Sequence, residues 1–308
     1  MREILCLAIA LASLSTICSA QTLTETFGTG ANAFTMEFVT IGNANNVADT
    51  TGSPNPAGSV AYIYNLGKYE VSSNMIYKAN SAGSLGITFT DYGPNKPATA
   101  ISWYEAAKFV NWLNTSTGGA VAYKFNSSGT FELWSSADLG YNAANPFRNS
   151  LAKYVIPSRD EWYKGAYGSP DGVWYNYPTG SDTAPAAVTG GTDPNTAVFG
   201  DTKLPVPADI TNAGGFSPWG TMAQGGNVNE WIETAYDGIN NTVDEAREKR
   251  GGVWYGEGYL LGSTSSIIYG ALAENPGVGF RIASVPEPSS ISLLVLGGVV
   301  VVLGGRRR

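Results

Sequence analysis

A loop-rich α+β single domain is the fold class this 308-residue sequence predicts, and three observations predict it. Phe34 to Ile41 alternates apolar and polar side chains, the period of a strand with one buried face. Two Ser-x-x-Glu boxes, Ser102 to Glu105 and Ser158 to Glu161, each precede a run with apolar residues at helical spacing. Long stretches rich in Gly, Pro and Asn (115–149 and 169–215) join these segments. Loops of that length inside a compact domain are either functional or held by other parts of the chain.

Composition agrees with one compact body. The chain is 43% hydrophobic and only 14% charged, with 38 Gly and 12% aromatic residues, so it buries enough surface to fold. A net charge of -7, with no basic patch in the interior, excludes a nucleic-acid partner. Histidine is absent, and both cysteines, Cys6 and Cys18, fall in the first twenty residues. The body of the protein therefore has no disulfide, no thiolate or imidazole metal site, no Cys nucleophile and no Ser-His pair. Chemistry here would have to come from carboxylates, Lys, Tyr or Ser.

Taken in order, the chain opens with Arg2, an apolar run from Ile4 to Ile17, and Cys18-Ser19-Ala20 before Gln21. This is the anatomy of a secretory signal peptide over 1–20. A lipoprotein anchored at Cys18 is the alternative, disfavoured by the bulky Ile17. Residues 21–33 read as an N-terminal extension, and the domain proper as 34–284. After the Phe34 to Ile41 strand and a Gly/Asn/Pro loop, Ala61 to Val71 reads as one or two strands. Ser72 or Ser73 caps a short helix through Ala79. Ser102 to Asn114 is the clearest helix, with Trp103, Ala106, Ala107, Val110 and Leu113 on one face. The second box opens a helix through Ala166, and Trp103, Trp112, Trp162 and Tyr163 read as core aromatics.

The Gly225-Gly226-Asn227-Val228-Asn229-Glu230-Trp231 stretch is a glycine-permitted turn followed by amide, carboxylate and indole. It reads as a rigid corner or a cation site. Glu230 and Glu233, three apart, also have the composition of an acid/base pair. Asp237, Asp244, Glu245 and Glu248 with Arg247, Lys249 and Arg250 read as a solvated loop or helix face.

At the C-terminus, Val285-Pro286-Glu287-Pro288 precedes an apolar stretch and the closing Arg306-Arg307-Arg308. The segment 285–308 resembles the PEP-CTERM sorting signal: motif Pro286, Glu287 and Pro288, a transmembrane helix over 289–305, and a basic tail. The resemblance implies an exported, membrane-held precursor, cleavage by an exosortase-type protease, and release to the surface or matrix of a Gram-negative bacterium. A plain tail anchor is the alternative.

Six ordered blocks carry a second resemblance. They are Gly67-Lys68-Tyr69-Glu70-Val71-Ser72, Ile101-Ser102-Trp103-Tyr104-Glu105-Ala106-Ala107, Ile156-Pro157-Ser158-Arg159-Asp160-Glu161-Trp162, Gly226-Asn227-Val228-Asn229-Glu230-Trp231, Arg250-Gly251-Gly252-Val253-Trp254 and Gly279-Phe280-Arg281. In this order they resemble the formylglycine-generating enzyme (sulfatase-modifying factor) family, which implies a C-type-lectin-like fold. The match departs at Asn229, where the family has Trp, and at Val253, where it has Ser. The family's oxidases use a cysteine pair before the Gly-Phe-Arg block, and related sulfoxide synthases use histidines. Tyr255 to Val278 has no cysteine and the chain no histidine, so neither copper nor iron is expected.

The resemblance also implies a structural calcium site at Gly226, Val228 and Glu230, eroded because Ala223 stands where a side-chain oxygen is needed. Arg250 and Arg281 are expected to hold carbonyls or a carboxylate. The resulting expectation is an exported, non-catalytic binding domain whose Tyr/Trp-rich loops take a ligand such as a polysaccharide. A divergent enzyme of the same superfamily with altered chemistry is the alternative.

Overall fold

The computed structural model describes residues 22–200 and 205–286. The signal peptide, the 289–305 helix and the basic tail expected from the sequence lie outside the described residues. In chain order the elements are β1 (Thr22–Phe27), β2 (Phe34–Ile41), β3 (Tyr64–Gly67), α1 (Ser73–Gly83), α2 (Trp103–Ser116), β4 (Lys124–Phe125), β5 (Phe131–Glu132) and β6 (Tyr154–Val155). There follow α3 (Arg159–Tyr167), β7 (Ala186–Ala187), β8 (Thr196–Ala197), β9 (Asn229–Ala235), β10 (Ala246–Arg250), β11 (Ile267–Gly270), β12 (Val278–Gly279) and β13 (Ala283–Ser284). Among the described residues no helix is long and apolar enough to cross a membrane.

One sheet has the order β1-β2-β3-β13-β6, so the last strand of the domain sits inside it, between β3 and β6. The second has the order β11-β10-β9-β12, with β12 parallel to β9. β2 alternates as expected from Phe34 to Phe38, but Val39 and Ile41 are buried on its other face as well, so its second half is covered on both sides. Thr22–Phe27, set apart as an extension in the sequence reading, pairs antiparallel with β2 along its whole length and is the edge strand of the first sheet.

Each helix starts where its cap predicts. Ser72 accepts from the Met75 amide and opens α1, which runs past Ala79 to Gly83 before Ser84 turns left-handed at φ 50°. Ser102 and Glu105 close a capping box at α2, and Ser158 and Glu161 another at α3. Trp103, Trp112, Trp162 and Tyr163 are all buried. Trp103 lies edge-on to Tyr123 and Phe131 at 5.1 and 5.3 Å between ring centres. Alternation along β9 divides the interior: Trp231 and Ala235 join the large core around α2, whereas Ile232 packs with Trp162 and Tyr163 of α3.

The charged 244–250 segment departs from expectation. Asp237 and Asp244 are exposed, but Arg247, Glu248, Lys249 and Arg250 are buried because β10 is an inner strand between β9 and β11. Each charge has its own compensation. Glu248 takes Arg159 on one oxygen and Arg250 on the other. The Arg247 guanidinium lies 4.0 Å from the Phe147 ring centre and 4.6 Å from that of Trp103. Lys249 stands 3.8 Å over the Tyr269 ring.

The α2 box gives a local test of this reading. Ser102→Ala is expected to cost about 1 kcal/mol and lower the melting temperature by about 2–4 °C in a calorimetric scan, with no change in secondary structure.

Candidate functional site

Side chains three apart on a strand point to opposite faces. Glu230 and Glu233 of β9 therefore cannot share a reacting atom, and the structure places each in a separate buried network. The acid/base pairing expected as one option from their spacing does not form.

Glu230 is fully buried and receives Arg281 through Nε to Oε2 (2.6 Å) and Nη2 to Oε1 (2.5 Å). The Trp162 indole donates to Oε2 as well, at 2.6 Å. Arg281 also donates to the carbonyls of Gly67 and Met222, each at 2.8 Å. It thereby fills the role read from its motif, and Arg250 likewise donates to the Ser263 carbonyl at 3.4 Å and to that of Ser53. Beside this pair the turn is held by Glu70, which accepts from Asn227 Nδ2 (2.6 Å) and from the Val228 amide (3.2 Å). Burial, followed by the Glu230 charge, pushes Glu70 well above the usual carboxylate range. Gly226 has φ +89°, and a Cβ there would lie 2.4 Å from the Val198 carbonyl oxygen, so only glycine fits.

These contacts bear on the calcium expectation at Gly226, Val228 and Glu230. Calcium takes six to eight oxygens. Both Glu230 oxygens already accept from Arg281, and Ala223 supplies none. A guanidinium in bidentate contact occupies the place and supplies the positive charge that a cation would bring. The donor set present does not fit calcium.

Glu233 accepts from Tyr123 (2.7 Å), Asn145 (2.6 Å) and Arg148 Nε (2.8 Å). Arg148 turns its other edge to Glu161, donating to both oxygens at 3.0 Å. Burial raises the Glu161 pKa, but the Arg148 charge and hydrogen bonds outweigh it and leave the carboxyl below its ordinary value. Glu161 also caps α3 and accepts from Tyr62. Both carboxylates of this cluster are thus structural.

The open site lies elsewhere. The loop after β2, the end of α3 with the loop that follows it, and Trp219 enclose a cavity of about 230 Å³, bordered by Asn43, Asn46, Lys164, Ser169, Trp174 and Trp219. The Trp174 ring is half-buried and lies against Tyr163, 5.7 Å between centres. Trp219 is 1% exposed, yet its Nε1–H has no protein acceptor. Lys164 donates to the carbonyls of Gly42 (2.6 Å) and Asn43 (2.9 Å). Burial pulls its pKa down to about 8.

Sequence reasoning singled out none of these residues as a site. Trp219 opens the motif-bearing stretch and Trp174 sits in a long loop, but they meet only through the fold. The one local signal is Lys164, a cation amid Trp162, Tyr163, Ala166 and Tyr167 on a helix where every residue from Glu161 to Tyr167 is buried.

A family model described as "Sulfatase-modifying factor enzyme 1-like domain" matches residues 29–285, and one described as "PEP-CTERM protein-sorting motif" matches residues 284–308. Among solved structures, Treponema denticola variable protein 1 is 19% identical, with 86% of this chain and 99% of that chain covered and a TM-score of 0.58. The structure titled "Crystal Structure of CarF" is 18% identical, covering 80% of this chain and 97% of that one, with a TM-score of 0.57. PvdO from Pseudomonas aeruginosa is 15% identical over 84% of this chain and 97% of that one, with a TM-score of 0.53. No curated protein matches the sequence. At these identities the structural likeness carries the fold, a loop-rich C-type-lectin-like α+β domain. The sorting motif marks an exported, surface-directed protein processed by exosortase-type machinery.

Two measurements check this account. Glu230→Leu leaves Arg281 buried without its partner and is expected to cost about 3–5 kcal/mol in denaturant unfolding. Adding Arg281→Leu recovers part of that loss, giving a coupling of at least about 2 kcal/mol; additive effects would refute the pairing. Secondly, the melting temperature is expected to agree within about 1 °C between calcium and chelator, since a ligand bound to the folded state alone would raise it.

Proposed function

The chain belongs to the sulfatase-modifying factor enzyme 1-like family, and on that premise we propose that it is a non-catalytic, exported binding protein that takes a saccharide in the cavity beside Trp174 and Trp219. The observation that carries this reading is the cavity's chemistry: two indoles, two asparagine side chains and an indole N–H left without a protein acceptor. Aromatic faces pack on the C–H faces of sugar rings while amides and N–H donors meet their hydroxyls. A volume of about 230 Å³ is below the roughly 300 Å³ at which pockets for drug-sized ligands begin, and suits a single ring.

What argues against turnover is the use to which the buried acids are put. Glu230 and Glu233 are each held by an arginine, and Tyr123 is spent on Glu233. The region of the family's cysteine pair, Tyr255 to Val278, contains none. A divergent enzyme with altered chemistry remains the alternative, and oxidation of a cysteine-containing peptide with added copper is its test.

The sorting segment completes the reading. On this reading the apolar stretch ahead of Arg306 to Arg308 anchors the precursor with those arginines on the cytoplasmic side, and an exosortase-type protease releases it to the surface or matrix of a Gram-negative bacterium. The exported protein is expected to bind one or more members of a broad glycan panel. Trp174→Ala is expected to weaken that binding at least 10-fold with no loss of thermal stability beyond a few degrees. A panel without any binder refutes the proposal.

A further inference from the structure

Lys164 is the one charged side chain among the residues that line the cavity. It is 2% exposed, and its Nζ donates to two backbone carbonyls, Gly42 and Asn43. An ammonium carries three N–H donors, so one remains. Lys68, Lys96, Lys124 and Lys153 each pair with a carboxylate, whereas among the described residues Lys164 has none. Lys249 is the other buried lysine without an acid, and it is covered by the Tyr269 ring at 3.8 Å; the nearest ring to Lys164, that of Tyr64, stands 6.0 Å away.

A buried ammonium without a counter-charge is unfavourable. Its pKa of about 8 records that cost. An anion entering the cavity meets an already desolvated cation, and the ion pair forms without the full expense of stripping water from the lysine. Trp219 borders the same cavity, and its buried indole N–H has no protein acceptor.

We infer that the cavity selects an acidic ligand the size of one sugar ring, whose carboxylate accepts from Lys164 Nζ and whose ring lies on Trp174, with the Trp219 indole N–H left to a ring hydroxyl. This rests on the saccharide reading of the same cavity and names its class, a uronic acid. The carboxylate can arrive on a free small acid or on a residue of an acidic polysaccharide, and the recognition chemistry is the same for both.

Calorimetric titration of the exported protein with methyl glucuronide, its neutral counterpart methyl glucoside and a short oligouronide tests the inference. The glucuronide is expected to bind at least 10-fold tighter than the glucoside. Lys164→Met is expected to bring the glucuronide down to the level of the glucoside, while Lys164→Arg retains the preference and shows that the fold tolerates change at this position. Trp219→Phe, which keeps an aromatic ring and removes the N–H, is expected to weaken both sugars by a few-fold. Binding of the oligouronide with the glucuronide assigns the ligand to a polymer, and binding of the glucuronide alone to a free acid; both outcomes support the carboxylate contact. Equal affinity for glucuronide and glucoside overturns the acid assignment and leaves the saccharide reading standing. Failure of all three ligands to bind overturns the uronic-acid assignment, while the saccharide reading falls only if the broad glycan panel also shows no binder.

Discussion

The Arg281 guanidinium reaches four separate parts of the chain from one buried position: β9 through Glu230, the end of β3 through the Gly67 carbonyl, the 217–226 loop through Met222, and α3 through the shared Glu230–Trp162 contact. Neither charge is exposed. Removing two ions from water is costly, and their attraction offsets that cost only when the remaining donors and acceptors are also matched. Here Nε, Nη1 and Nη2 all find oxygen, and the carboxylate accepts an indole besides. The pair therefore works as a joint. Both sheets and the loop leading into β9 are referred to it, because β13 begins two residues after Arg281 and lies inside the first sheet while β9 lies inside the second.

Arg148 repeats the device on the opposite face of β9. It bridges Glu233 to Glu161, and so ties the central strand of one sheet to the cap of α3. α3 is held twice, by Trp162 from one face of β9 and by Glu161 from the other. This explains why a nine-residue helix, too short to be stable alone, is a firm wall for the cavity. Lys164 projects from that wall, and its burial there is what lowers its pKa.

Features that depend on local backbone chemistry were legible in the sequence. The capping boxes at Ser102 and Ser158 fix helix starts within a few residues, and the alternation from Phe34 to Phe38 fixes the buried face of the first half of β2. The kind of role played by Arg250 and Arg281 was legible because both sit in the motif blocks, but their partners come from distant parts of the chain and were not. The 244–250 segment was not: six of its seven residues are charged, and charge density reads as solvent exposure until β11 and the aromatic rings of Trp103, Phe147 and Tyr269 are known to cover it. Thr22–Phe27 was missed as a strand because it lies ahead of the family blocks and its partner, β2, was needed to see its edge. The cavity was invisible for the same reason on a larger scale. Its walls come from three stretches far apart in sequence, and an unpaired indole N–H has no sequence signature.

An exported domain with long loops and no cysteine in its body must hold those loops by other means. The usual solutions for weakly cored or loop-rich secreted domains are disulfides or bound metal. In this chain the same work falls to buried side chains that bond to distant backbone: Arg250 to the carbonyls of Ser53 and Ser263, Arg148 to that of Ile156, Gln224 to that of Trp162, and Asn114 to the Tyr154 backbone. Such anchors fix a loop at its base and leave its tip free. Val47 and Val173 on the cavity rim are 85% and 47% exposed, while Lys164, bonded to the Gly42 and Asn43 carbonyls, is buried. A fixed polar floor under an open apolar rim is what selective recognition of a small ligand requires: the rim admits many shapes, and the floor discriminates by charge and hydrogen bonding.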